Sequence, residues 1–170
     1  MKTTALLLAF GLLCTGATPA HRDNRGRPSA HSDGYQPDAG TLGRLHEGEE
    51  MTVYFSSFGC FSRSGKKLVF TRTGDAVRLT VFDGLVSYGK DGMHPSLEQG
   101  KLLKEKTMSD ADMAIVAAFE KEMTKRRDGG CTTSETYTMV SGYKTISVTD
   151  ASCQWFGMNQ LMSDLFGKVF

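Results

Sequence analysis

The sequence lacks an apolar segment long enough to cross a lipid bilayer. Its N-terminal apolar run covers only residues 5–13, and no later segment is apolar enough to serve, since a membrane-spanning helix needs about twenty such residues. Lys2 before the run and small residues up to Ala20 after it are typical of a secretory signal. We therefore expect residues 1–20 to be a signal peptide, cleaved after Ala17 or Ala20, and we expect no transmembrane segment.

An excess of charge of either sign is also missing. The chain has 20 basic and 19 acidic residues, and loss of Lys2 with the signal peptide would leave 19 of each, a net charge of zero. Such a protein has no basic field that attracts phosphate backbones or anionic lipids as a whole. We expect no nucleic-acid partner.

Signatures of the common metal and catalytic sites are absent. The sequence has no HxxxH, HExxH or CxxC spacing, and no GxSxG elbow, P-loop or GxGxxG fingerprint. Asp83 and Asp91, each followed by glycine, resemble pieces of calcium loops, but the missing acidic ligands favour turns. Copper binding by His21 as a new N-terminus would lack an anchored second ligand. We expect no metal and no cofactor.

Large apolar residues are scarce between residues 21 and 44, a tract rich in Gly, Pro, Ser, Asp and Arg. This composition buries too little surface to offset the entropy of ordering. We expect residues 21–44 to be a disordered polar linker. The rest of the chain, residues 45–170, has a length that suits one domain with its own core.

Cysteine is rare, and two of the cysteines suggest a covalent link. The four cysteines are Cys14, Cys60, Cys131 and Cys153. Residues 136–140 and 144–148 are rich in β-branched and aromatic residues and flank a turn at Gly142, a pattern that predicts a hairpin. Cys131 and Cys153 each lie eleven residues from Gly142. Folding at that glycine brings them together, so we predict a disulfide between them, which an exported protein retains.

The other two cysteines leave alternatives open. Cys14 ends the apolar run where a bacterial lipoprotein would carry its lipid, although the bulky Leu13 is unfavourable at such a site. Cys60 lies between aromatic residues, and we interpret it as a small buried hydrophobe. A reactive thiol, a bond to Cys131 or Cys153, and an intermolecular disulfide are the alternatives for Cys60.

The order of patterns along the domain predicts an α+β fold. Alternating apolar residues indicate strands at 51–58, 68–72 and 77–82, and a capped apolar stripe indicates a helix at 109–127. In that helix Ser109 is the expected N-cap, with Asp112 completing a capping box. A last helix is expected at 155–166. With the hairpin this gives β-β-β-α-β-β-α, a five-stranded antiparallel sheet with two helices packed on one face.

Residues 84–107 have no clear periodicity, apart from a short strand pattern at 85–88. A stretch of this length in a compact domain is either functional or contains an element that the pattern hides. We expect the loop to carry a contact surface for a protein or small-molecule ligand. Its candidate binding residues are Tyr88, Lys90, Asp91, Met93 and His94.

We favour a function without catalysis: an exported binding or interaction module, secreted or periplasmic, with a lipid anchor to the cell envelope at Cys14 as the alternative. The ligand is not evident from the residues. The competing hypothesis is a thiol- or histidine-dependent hydrolase that uses Cys60 with His94 or His46.

Overall fold

A computed structural model describes residues 40–90, 94–125, 127 and 129–167. They form one antiparallel sheet of six strands with two helices, which confirms the α+β class. The strands are β1 (Glu50–Phe58), β2 (Arg63–Thr73), β3 (Ala76–Tyr88), β4 (Pro95–Thr107), β5 (Ser134–Ser141) and β6 (Lys144–Asp150), and the helices are α1 (Asp110–Met123) and α2 (Gly157–Phe166). The strand order across the sheet is β4-β3-β2-β1-β5-β6. The signal segment, Cys14 and the linker up to residue 39 lie outside the described residues.

The core lies between the helices and one face of the sheet. Met51 pairs with Phe70 and Val53 with Leu68 across β1 and β2, and all four are buried. Because side chains alternate along a strand, Thr52 and Tyr54 point to the opposite face, which we call the outer face. Met113, Val116, Phe119 and Met123 of α1 and Met158, Leu161, Met162 and Leu165 of α2 complete the core.

The sheet has one strand more than the five predicted. The stretch at 84–107 contains the second half of β3 and all of β4, so only residues 89–94 connect them. β4 is an edge strand whose side chains are mostly exposed, and its register against β3 shifts near Phe82 and again near Leu85. Exposure removes the apolar alternation and each shift resets its phase, which hid the strand in the sequence.

The start of α1 agrees with the predicted capping box. Ser109 Oγ accepts a hydrogen bond from the Asp112 N–H at 3.2 Å, and the Asp112 carboxylate accepts from the Ser109 N–H at 2.9 Å. Lys106 donates to Asp112 at 2.8 Å and to the Leu165 carbonyl at 3.0 Å, so one ammonium connects β4, α1 and α2. Burial alone would raise the pKa of Asp112, but the hydrogen bonds from Lys106 and Ser109 outweigh it and hold that pKa below its ordinary value.

The C-terminal hairpin forms as predicted and the disulfide closes its open end. Every residue of β6 pairs with a residue of β5, from Ser141–Lys144 to Glu135–Asp150, with Gly142 and Tyr143 between the strands. The Cα atoms of Cys131 and Cys153 are 5.7 Å apart and their sulfurs are bonded. The N–H groups of Gly130 and Cys131 both donate to the Ala151 carbonyl, at 3.0 and 2.9 Å, which continues the pairing up to the disulfide.

Replacing both Cys131 and Cys153 by Ser should lower the free energy of unfolding by about 3 kcal/mol, because the unfolded chain regains the entropy of a loop of this length. Cys60→Ser is the matched control and should change stability by less than about 0.5 kcal/mol, since Cys60 is exposed and unbonded. Urea unfolding of both variants measures the difference. Equal unfolding midpoints for the double variant and the control would contradict the disulfide's role.

Candidate binding groove on the outer face

The outer face is shaped by a close contact between two backbones. Gly65 of β2 and Gly84 of β3 face each other in register. A Cβ on Gly65 would lie 2.8 Å from the Gly84 carbonyl oxygen and 3.0 Å from that of Phe55, and a Cβ on Gly84 would lie 2.7 Å from the Glu98 carbonyl oxygen. Only glycine allows backbones to approach this closely. The two register shifts between β3 and β4 lie at the same place.

Beyond Gly84 the ribbon of β3 and β4 turns back over the outer face. Val86 is 2 % exposed although it does not belong to the main core. Its Cγ2 lies 3.0 Å from the position that a Cβ on Gly65 would take, so it covers that glycine. Arg63 Nη2 donates to the Val86 carbonyl at 3.3 Å. Bulges and glycines are the usual means of bending a ribbon in this way.

The end of the ribbon and the outer face enclose a groove of about 530 Å³. Its floor is a row across three strands, because Thr52 of β1 pairs with Val140 of β5, which pairs with Thr145 of β6. His94 and Pro95 form the opposite wall. A hydrogen bond of 3.1 Å from the Gly89 N–H to the His94 carbonyl holds the base of this wall. The groove is lined by Thr52, Tyr54, His94, Pro95, Val140 and Thr145.

The lining combines apolar surface with a few neutral polar groups. Val140, Pro95 and the ring of Tyr54 provide the apolar area, and Lys67 holds its ammonium 5.5 Å from the centre of that ring. The threonine hydroxyls, the Tyr54 hydroxyl and the His94 imidazole can donate or accept hydrogen bonds. No Asp, Glu, Lys or Arg is among the described residues that line the groove. This is the usual make-up of a pocket for an organic molecule.

Of the predicted binding residues, the structure places His94 in the groove. Tyr88 is half-buried, and its hydroxyl is shielded from solvent without a hydrogen-bond partner among the described residues. Lys90 is exposed, and neither it nor Tyr88 lines the groove. Asp91 and Met93 lie outside the described residues. The other lining residues were not predicted from the sequence. Thr52 and Tyr54 occupy the outward positions of a predicted strand, and that alternation was the signal that could have identified them.

Cys60 is not buried as predicted. It lies in the turn between β1 and β2 and is exposed as a free thiol, with exposed Phe58 and Phe61 on either side. It does not line the groove with His94. His46 is exposed too, and its backbone N–H donates to Glu49 at 2.9 Å. Cys60 is exposed because the β1–β2 turn projects from the sheet, and its aromatic neighbours do not change this.

Groups of three or more acidic, histidine or cysteine side chains suited to hold a metal ion are absent from the described part of the chain. Within that same part, no helix has both the length and the apolar character needed to cross a membrane. No known protein family, curated protein or solved structure matches this chain. Its function must be argued from the groove itself.

Gly65→Ala should lower the free energy of unfolding by about 1 to 3 kcal/mol, because two carbonyl oxygens and Val86 must move to admit the methyl group. Gly142→Ala is the control, since a Cβ there meets no atom within 4 Å. Urea unfolding compares the two variants. A Gly65→Ala protein as stable as the Gly142→Ala protein would show that the backbones do not approach as described.

Proposed function

We propose that the protein is a non-catalytic binding module that takes a small organic molecule in the groove between the outer face and the β3–β4 ribbon. The observation that carries this proposal is the groove's volume of about 530 Å³. Cavities of about 300 to 1,000 Å³ hold most drug-sized ligands. Five of the groove's six described lining residues belong to strands, which favours a ready-made site over one that forms on binding.

The ligand should have a mainly apolar body and few hydrogen-bonding groups. Tyr54, Pro95 and Val140 offer contact area, and Thr52, Thr145 and His94 offer polar atoms at its margins. A charged ligand would lose its hydration on entering the groove and would find no opposite charge among the described lining residues. That desolvation is costly. A neutral aromatic or alicyclic compound suits these walls best.

A role in binding agrees better with the side chains present than the hydrolase alternative does. That alternative needs a nucleophile within hydrogen-bond reach of a histidine base. The thiol of Cys60 is at the β1–β2 turn, outside the cavity that His94 lines. The hydroxyl groups beside His94 belong to threonines on the floor and to Tyr54, and they offer ordinary hydrogen bonds to a ligand.

Thr145→Trp should weaken binding of the neutral fluorophore N-phenyl-1-naphthylamine, because the indole would occupy the groove. Thr149→Trp is the matched control: it is on the same strand and also faces outward, but it does not line the groove. We expect the apparent Kd to rise at least about tenfold, or 1.4 kcal/mol, in the first variant and to stay within about twofold in the second. Fluorescence titration at constant salt measures both.

If the probe binds the two tryptophan variants equally, it binds elsewhere and the proposed site is wrong. If the parent protein does not enhance probe fluorescence at all, the groove does not accept ligands of this class. Unfolding midpoints of both variants check that the substitutions leave the fold intact.

Export is part of the proposal. The disulfide persists outside the reducing cytosol, and the sequence at residues 1–20 has the pattern of a signal peptide. Secreted or periplasmic placement follows, with lipid attachment at Cys14 as the alternative. The intact mass of the exported protein should match a chain that begins at Thr18 or His21. A mass with lipid on Cys14 would favour the alternative, and an unprocessed chain in the cytosol would refute export.

A further inference from the structure

A second cavity, of about 90 Å³, lies at the disulfide end of the C-terminal hairpin. It is distinct from the groove, because its acidic residues face the helix side of the sheet. Exposed Cys153 and Phe156 border it, and Trp155 forms an inner wall. We call it the acidic cavity. It is lined by Thr133, Glu135, Asp150, Cys153, Trp155 and Phe156, so the charged residues among its described lining are both acids.

Asp150 lines this cavity and has one carboxylate oxygen without a hydrogen-bond donor among the described residues. The residue is only 6 % exposed. Its Oδ1 accepts a hydrogen bond from the Ser152 N–H at 2.7 Å, but its buried Oδ2 has no hydrogen-bond partner among the described residues. Arg127 Nε forms an ion pair with Oδ2 at 3.8 Å, which supplies a counter-charge but is beyond hydrogen-bonding distance. A buried carboxylate oxygen without a donor is costly, so a donor supplied from outside would stabilise it.

Arg127 makes its hydrogen bonds to other residues, so Oδ2 has a counter-charge but still lacks a hydrogen-bond donor among the described residues. Its Nη2 donates to the Glu122 carbonyl at 2.9 Å, and its guanidinium lies 4.2 Å from the centre of the Trp155 ring. Lys125 and Arg127 line a separate cavity that Asp150 also borders. Asp150 therefore borders two cavities, and the described lining of the acidic cavity includes no Lys or Arg.

Glu135 doubles the negative charge that the cavity can develop. It pairs directly with Asp150 in the β5–β6 register, and its carboxylate accepts a hydrogen bond from the Tyr137 hydroxyl. Burial raises the pKa of Glu135, and the negative charge of Asp150 raises it further, while the Tyr137 hydrogen bond opposes them. A cation between the two carboxyl groups would reverse this penalty.

We propose that the acidic cavity binds a primary ammonium group on a short alkyl chain. Three N–H donors of an ammonium match the Asp150 oxygen that lacks a donor, the Glu135 carboxylate and the Thr133 hydroxyl. The rings of Trp155 and Phe156 provide apolar surface for the methylene groups. A lysine side chain of a polypeptide and a free alkylamine share this chemistry.

The pH dependence of binding follows from the groups around Glu135. These are Tyr137 on the same strand, Asp150 on β6 and, beyond Asp150, Arg127 after α1. The ammonium prefers ionised Glu135, so affinity should rise as the pH rises through the raised pKa of Glu135 and then level off. Below that pKa the cation must compete with a proton and should bind more weakly.

The experiment uses Trp155 as its reporter, since the chain contains one tryptophan and it lines the cavity. Titration with n-butylammonium chloride at constant ionic strength should give a saturable change in its fluorescence. Neutral 1-butanol, which has the same alkyl chain, should not. A response that never saturates, or an equal response to the alcohol, would overturn the proposal.

Asp150→Asn should weaken n-butylammonium binding at least about tenfold, because the amide keeps the Ser152 hydrogen bond but loses the charge. Glu135→Gln should remove the rise of affinity with pH. Asp75→Asn, an exposed acid at the β2–β3 turn, is the control and should bind as the parent does. If Asp150→Asn does not fold, Glu135→Gln decides alone, and unchanged affinity and pH profile in it would refute the site.

A further titration with Nα-acetyl-lysine amide distinguishes the two sources of the ammonium group. Affinity equal to that of n-butylammonium would indicate a lysine side chain from a polypeptide, since the backbone groups are then tolerated at the mouth. Binding of the free amine alone would indicate a small-molecule ligand. If neither compound binds, the cavity holds only water and the proposal is wrong.

Discussion

The buried side chain of Tyr137 is the contact on which the described domain depends. Its ring centre lies 5.2 Å from that of Phe55, 5.9 Å from that of Phe119 and 4.8 Å from that of Trp155, so one residue joins the sheet, α1 and the segment before α2. Its hydroxyl donates to Glu135 and accepts from the Met158 N–H at 3.4 Å. A tyrosine in a core needs such partners, and here they are the start of α2 and a wall of the acidic cavity. Core packing and the chemistry of that cavity are therefore not independent.

The outer face depends on a different constraint, the contact between Gly65 and Gly84. A sheet with helices on one side leaves its other face to solvent, and a flat face offers little to a small ligand. Here β3 and β4 are both 13 residues long, longer than the strands they cover, and the glycine contact turns their excess length back across the face. The bend converts an exposed ribbon into the second wall of a groove. The position of His94 follows from a backbone approach at Gly84, four residues before β3 ends at Tyr88.

Features set by neighbours in the chain were predictable, and features set by strand order were not. The capping box of Ser109 and Asp112 and the pairing of Cys131 with Cys153 need only local spacing, and both are confirmed. β4 was not predicted, because the exposed residues of an edge strand show no alternation of apolar and polar side chains. The groove could not be predicted, because Thr52 and Thr145 come together only when the C-terminal hairpin pairs with β1. No pattern of residues indicates which edge strand of the sheet the hairpin pairs with. The burial of Cys60 was predicted wrongly because flanking aromatic residues say little about a turn.

The two cavities share one hairpin and depend on its register. The Val140–Thr145 pair belongs to the groove on the outer face, and the Glu135–Asp150 pair belongs to the acidic cavity on the helix side. Because side chains alternate between faces, a slip of one residue in either strand would move both sets to the wrong side. The short turn at Gly142 fixes the register at one end and the disulfide fixes it at the other. The disulfide thus does more than restrict the unfolded chain, since it helps to hold the register that places two sites on opposite faces of the hairpin.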